Sequence, residues 1–99
     1  MKTELLFREK LIRDGYIREM TVWRILRKSS GCRRTLRYRF YFGRNDGDCL
    51  VRYDNERDSG DQKYVGGGEC PHQFRNLEKV LDDFNADIAA VLKHQEDSS

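Results

Sequence analysis

Ninety-nine residues, 36% charged, 37% hydrophobic and with a net charge of +2, can bury one modest core, so a lone sheet covered by one helix is about what this chain can hold. A mean hydropathy of −0.88 puts a heavily charged surface around that core, while the 11% aromatic share excludes disorder, whose sequences are poor in aromatic residues. No apolar run approaches the roughly 20 residues that span a bilayer, and "MKTELLFREKLIRDG" breaks into charges too early for a secretory signal, so a soluble, cytoplasmic protein is expected.

Along the chain, Leu5, Leu6, Phe7, Leu11 and Ile12 mark a first strand. Asp14-Gly15 follows, the dipeptide suited to a type I′ hairpin turn because both central residues need positive φ, and Tyr16 to Leu26 is the returning strand. Past a polar loop, "LRYRFYF" alternates, with Leu36, Tyr38, Phe40 and Phe42 on one face and Arg37, Arg39 and Tyr41 on the other. "RNDG" at 44–47 reads as a second turn, Cys49 to Tyr53 as a fourth strand, and Gln62 to Val65 as a short fifth. After Pro71 the period changes: Leu77, Val80, Leu81, Phe84, Ile88, Val91 and Leu92 predict an amphipathic helix over about 76–94, with Asn76 as N-cap and a polar tail after it. The expected fold is α+β in a single domain, residues 1–99: an antiparallel meander of four to five strands within about residues 3–66, one face covered by the C-terminal helix. Leu36, Tyr38, Phe40 and Phe42 are expected against Leu77, Val80, Leu81, Phe84, Ile88 and Leu92.

The small net charge conceals a polarity. Residues 1–44 carry thirteen basic against four acidic side chains and residues 45–99 carry six against thirteen. A basic first half rich in arginine favours phosphate or an acidic protein segment, since guanidinium binds either anion in bidentate fashion; alternatively the two halves neutralise each other across the fold. Arg33, Arg34, Arg37 and Arg39 beside Tyr41 form a stripe that could grip a phosphate backbone and stack a base. Cys32, Cys49 and Cys70 show no metal-ligand spacing and read as reduced thiols.

The densest chemistry lies in "VRYDNERDSGDQKYVGGGEC", residues 51–70. Arg52, Asp54, Asp61 and Lys63 would flank a hairpin turn, and two carboxylates with a lysine at that spacing could hold Mg²⁺ and activate water, or work without metal through Arg52 and Lys63 on a phosphate. Either site requires the four side chains to converge, with Asp54 and Asp61 on the same side of the hairpin; opposite faces would leave the motif a hydrogen-bonded turn and favour partner binding. Gly66, Gly67 and Gly68 would let the following loop fold over the strand ends and bring His72 in as an acid or base, whereas His94 sits in the last helical turn, where it caps the negative end of the dipole.

"CLVRYDNERDSGDQKYVGG", together with "ELLFREKL", "VWRI" and "PHQF…LDDFNADI", resembles the TumE family of toxins from toxin–antitoxin systems over nearly the whole chain. The resemblance implies a toxin encoded beside an antitoxin, usually a helix-turn-helix protein, with an activity directed at RNA. Its characteristic positions fall on Arg52, Tyr53, Asp54, Asn55, Glu56, Gly60, Asp61, Gly66 and Gly67. The family commonly reads Gly-Asp-His-Arg-His where this chain has Gly60, Asp61, Gln62, Lys63 and Tyr64. The missing histidines leave two readings: a divergent toxin using Lys63 and His72, or one that has lost activity and kept its partner binding; the competing class is a non-enzymatic interaction module that binds nucleic acid or an acidic partner segment. A homo-oligomer is compatible with either.

Overall fold

A computed structural model describes residues 2–27, 35–55 and 60–97. Six strands, β1 (Lys2–Arg13), β2 (Tyr16–Arg27), β3 (Leu36–Arg44), β4 (Cys49–Asp54), β5 (Gln62–Val65) and β6 (Gly68–Pro71), form one antiparallel sheet in sequence order, followed by α1 (Leu77–Asp97). The α+β architecture agrees with the sequence reading, but the sheet has six strands rather than four to five. The sixth was hidden because "GECP" has no alternating apolar pattern. Gly66 and Gly67, both at positive φ (59° and 95°), do not open a loop but turn β5 directly into β6.

The first hairpin forms where Asp14-Gly15 predicts it, with φ of 55° and 82°, and its tip is tied to the β3–β4 turn by the Asn45 N–H donating to the Gly15 carbonyl at 2.9 Å. Asn76 caps α1, its side-chain oxygen accepting from the Lys79 N–H at 2.8 Å. Glu78 lies in the first helical turn, at the end of the dipole that suits a carboxylate, and His94 lies in the last.

Register assigns the faces. Phe40 is paired with Tyr53 and Met20, and Phe42 with Val51, so Tyr38, Phe40, Phe42, Val51 and Tyr53 share one face with Met20 and Val22. Val80 and Phe84 of α1 bury that face, with Leu36, Leu77, Leu81, Ile88 and Leu92 packed around it, as the two periodicities predict. The helix runs closest to β4. It does not cover the outer strand, so Phe7 and Leu11 of β1 remain exposed on the helix side, while Leu5 and Ile12 are exposed on the opposite face, and the molecule is elongated, 50 × 24 × 22 Å. Arg37, Arg39 and Tyr41 point away from α1, as expected.

One glycine is fixed by crowding. Opposite the bulge in β4, a Cβ on Gly43 would sit 2.5 Å from the Asp48 backbone oxygen and 2.5 Å from Tyr41 Oη. Tyr41 can swing aside, but the carbonyl is part of the turn in which Asp48 accepts from the Arg44 N–H at 2.9 Å. Gly43→Ala should therefore lower stability by about 1–3 kcal/mol, the usual range for overpacking. A urea midpoint equal to that of the parent chain would show that the turn yields freely.

Candidate functional site

The four side chains expected to converge do not. Asp54 is paired with Gln62 across β4 and β5, and paired residues share a face, so Asp61, one residue before Gln62, points the opposite way. Asp54 lies on the outer face, away from the helix, with Arg52; Asp61 and Lys63 lie under the helix. A cation held jointly by Asp54 and Asp61 does not fit this geometry, and among the described residues no group of three His, Cys, Asp or Glu side chains could hold a metal ion. The reason is the two-residue period of the strand, which a count of intervening residues cannot reveal while the turn length is unknown.

On the outer face, Arg52 bridges two carboxylates: its Nε is 3.1 Å from Asp54 Oδ2 and its Nη2 3.0 Å from Glu69 Oε2. The guanidinium also lies 5.8 Å from the centre of the Tyr64 ring. Gln62 and Tyr64, which stand where the resembling family commonly has histidine, are on this face beside Asp54 and Arg52. Arg39 is in register with Asp54, and Tyr41 with Arg52. Burial raises the Tyr41 phenol, with nearby Cys49 and Asp48 adding to it. Arg33, Arg34 and Glu56 lie outside the described residues, so the stripe read from the sequence is represented here by Arg37, Arg39 and Tyr41.

On the helix side, a cluster absent from the sequence reading assembles around Tyr53. The fully buried Tyr53 donates its hydroxyl to the Asp87 carboxylate, and the same carboxylate oxygen lies 3.7 Å from Lys63 Nζ. The Lys63 ammonium is 5.9 Å from the centre of the Tyr53 ring. Against the same ring His72 packs edge-on, centroids 4.9 Å apart. His72 Nε2 is 3.3 Å from Asp83 Oδ2, and the other Asp83 oxygen is 2.6 Å from Lys79 Nζ. The loop carrying His72 is pinned by its backbone N–H donating to the Asp61 carbonyl at 3.0 Å. Tyr38 donates its hydroxyl to the Asp61 carboxylate at 2.5 Å, with Phe74 stacked on its ring.

The electrostatics of the cluster follow from burial. Burial pushes both the Tyr38 and Tyr53 phenols far above their ordinary value, and the carboxylates they face raise them further, so both remain protonated donors that orient Asp61 and Asp87. The hydrogen bond from Lys79 holds Asp83 below the usual carboxylate value, and the bond to His72 acts in the same direction. Asp83 is therefore an anion that aims the imidazole, which leaves Nδ1 buried without a hydrogen-bond partner. The His72 side chain is only 9% exposed, whereas Lys63 is 32% exposed and presents its charge to solvent. The Cys49 thiol is raised by burial, which disfavours the thiolate a nucleophile requires.

Sequence reasoning missed Asp83, Asp87 and Lys79 because they sit on a helix whose polar residues read as a solvated face. A signal was nevertheless there: Asp83 and Asp87 are four residues apart beside the buried Phe84, on the flank next to the apolar stripe.

No curated protein and no solved structure matches the chain. A family model described as toxin TumE matches residues 2–92, a span that takes in every described strand, the Tyr53–His72 cluster and all but the last turn of the helix. The chain thus belongs to the TumE family of toxins, the toxic partners in toxin–antitoxin systems.

Proposed function

We propose that this toxin acts on RNA as a metal-independent, ribonuclease-like protein whose working groups are Lys63 and His72. The observation that carries the reading is the placement of these two residues against one buried ring, Tyr53, each oriented by its own helix carboxylate. Cleavage of a phosphodiester by its own 2′-hydroxyl needs a proton carrier and a cation for the charge that develops on phosphorus. His72, aimed by Asp83, is the proton carrier of this scheme, and the solvent-facing Lys63 is the cation. Tyr53 and Asp87 hold Lys63 in place.

The test is expression toxicity and RNA integrity for Lys63→Ala and His72→Ala against the parent chain. Both variants should lose toxicity by at least tenfold, and Lys63→Arg should recover part of it, because the charge returns. Full toxicity in both single variants, with chains that melt like the parent, would remove the cluster from the mechanism.

In this proposal Arg37 and Arg39 hold a stretch of RNA remote from the cleaved bond, because they lie on the sheet face opposite Lys63 and His72. Arg37 and Arg39 together should contribute about −0.7 each to the slope of log affinity against log salt on single strands. Replacing both with glutamine should weaken binding and flatten that slope by about 1.4; an unchanged slope would place the RNA elsewhere. A second reading has its own support: Asp54 and Asp61 lie on opposite faces of the hairpin, the arrangement that favours partner binding over a site built on that motif. Arg52 also ties Asp54 and Glu69 into one ion-pair cluster on the outer face, as they would be in an interaction module whose toxicity needs no cleavage, and toxicity that survives Lys63→Ala without any loss of RNA would favour it.

A further inference from the structure

On the flank of α1 away from the Tyr53 cluster, an open groove of about 710 Å³ lies between the helix and the tips of the β1–β2 and β2–β3 strand pairs. Its floor is the stacked pair Tyr16 and Phe42, centroids 5.3 Å apart and 14° from parallel. Leu11 forms one wall, Ile88 and Leu92 the other. Phe7, on the same face of β1 as Leu11 and equally exposed at 45%, extends the apolar path along the outer strand.

The rim is basic. Arg13, Arg18 and Arg44 line the groove, against a single carboxylate, Asp14. Two of these cations are held only loosely: Arg13 Nε is 3.7 Å from Asp14 and Arg44 Nε 3.8 Å from Asp48, between strongly exposed partners, a setting in which ion pairs contribute little. Arg18 reaches Asn85 of α1 at 3.3 Å and Glu9 at 3.1 Å, and its Nε is buried with no partner.

We infer that this groove docks an acidic amphipathic segment of the antitoxin that family membership implies. The inference rests on the toxin–antitoxin role and not on RNA cleavage. Charge complementarity selects the occupant: an apolar side chain covers Leu11, Ile88 and Leu92 while flanking Asp or Glu residues meet the three guanidinium groups in bidentate fashion. A nucleic-acid backbone would satisfy the arginines but leave the aliphatic walls against ribose and phosphate. A second copy of this chain, docked about a two-fold axis, would bring the same three arginines against one another.

The experiment titrates the purified chain with the protein encoded beside its gene, by calorimetry and at two salt concentrations. Arg18→Glu with Arg44→Glu should weaken binding at least 100-fold, and Ile88→Asp at least tenfold. Arg44→Glu alone, at an exposed position that leaves the core untouched, should cost about tenfold and reduce the salt dependence. Lys63→Ala, on the opposite flank, should bind as the parent does, so that failure of the cleavage reading and failure of the docking reading are told apart. No binding by the parent chain, parent-like binding by the three groove variants, loss of binding only on Phe7→Asp, or a self-association that Ile88→Asp abolishes would each overturn the inference.

Discussion

Phe84→Ala should lower stability by about 3–5 kcal/mol, the range for removing a large aromatic ring from a core. Phe84 is fully buried, and its ring lies 5.4 Å from Phe40 and 5.9 Å from Tyr53, so one side chain joins α1 to both β3 and β4. A chain of this size is stable by only about 5–15 kcal/mol in total, so the loss takes away a fifth of it or more and the melting temperature should fall by roughly 20 °C. A helix in a protein draws most of its stability from packing of its amphipathic face, so the signals of α1 and of the sheet should disappear together in one transition. Ala86, exposed on the same helix, supplies the control: Ala86→Ser should change stability by less than about 0.5 kcal/mol. A Phe84→Ala loss below about 1 kcal/mol, or a helix signal that melts well before the sheet, would show that the helix is held by something other than this contact.

The parts of the fold that were legible are those where a period and a partner coincide. "LRYRFYF" and the Leu77–Leu92 stripe each define one apolar face, and with nothing else of comparable apolar area in the chain they had to meet. Asp14-Gly15 and Asn76 were legible for a similar reason, since their chemistry suits one local geometry. The sixth strand was not, because Gly68 to Pro71 is held by backbone pairing with β5 and its residues are exposed throughout.

The site divides along the same line. Its residue types in 51–70 were visible, but which of them face one another depends on register, and a register fixed by distant pairing leaves no trace in spacing. Lys63 and His72 come together only because β5 and β6 form a hairpin, and Asp83 and Asp87 join them only because Phe84 fixes how the helix is rotated about its axis. The arginine polarity of the first half was visible too, yet the fold sends Arg37 and Arg39 to the outer face and Arg13, Arg18 and Arg44 to the groove, two surfaces that a charge count merges into one.

Asn55→Ala should cost about 2–5 kcal/mol. β4 ends at Asp54, and β3 still has two backbone groups to satisfy beyond that point. The buried Asn55 supplies both: its Oδ1 accepts from the Tyr38 N–H at 2.9 Å and its Nδ2 donates to the Leu36 carbonyl at 2.9 Å. Its own backbone N–H donates to the Tyr38 carbonyl at 3.3 Å, so side chain and main chain together continue the ladder past the end of the strand. Alanine leaves a buried donor and a partly buried acceptor unpaired, each at about 1–3 kcal/mol. Asn55→Asp tests the assignment independently, because a carboxylate can still accept from Tyr38 but cannot donate to Leu36. It should fall between the parent and Asn55→Ala in urea unfolding, with amide exchange at Tyr38 fast in the alanine variant and still protected in the aspartate one. Equal stability for all three chains would mean that the asparagine is a turn residue of no structural consequence, and the role of the motif would then have to be sought in what it touches outside this chain.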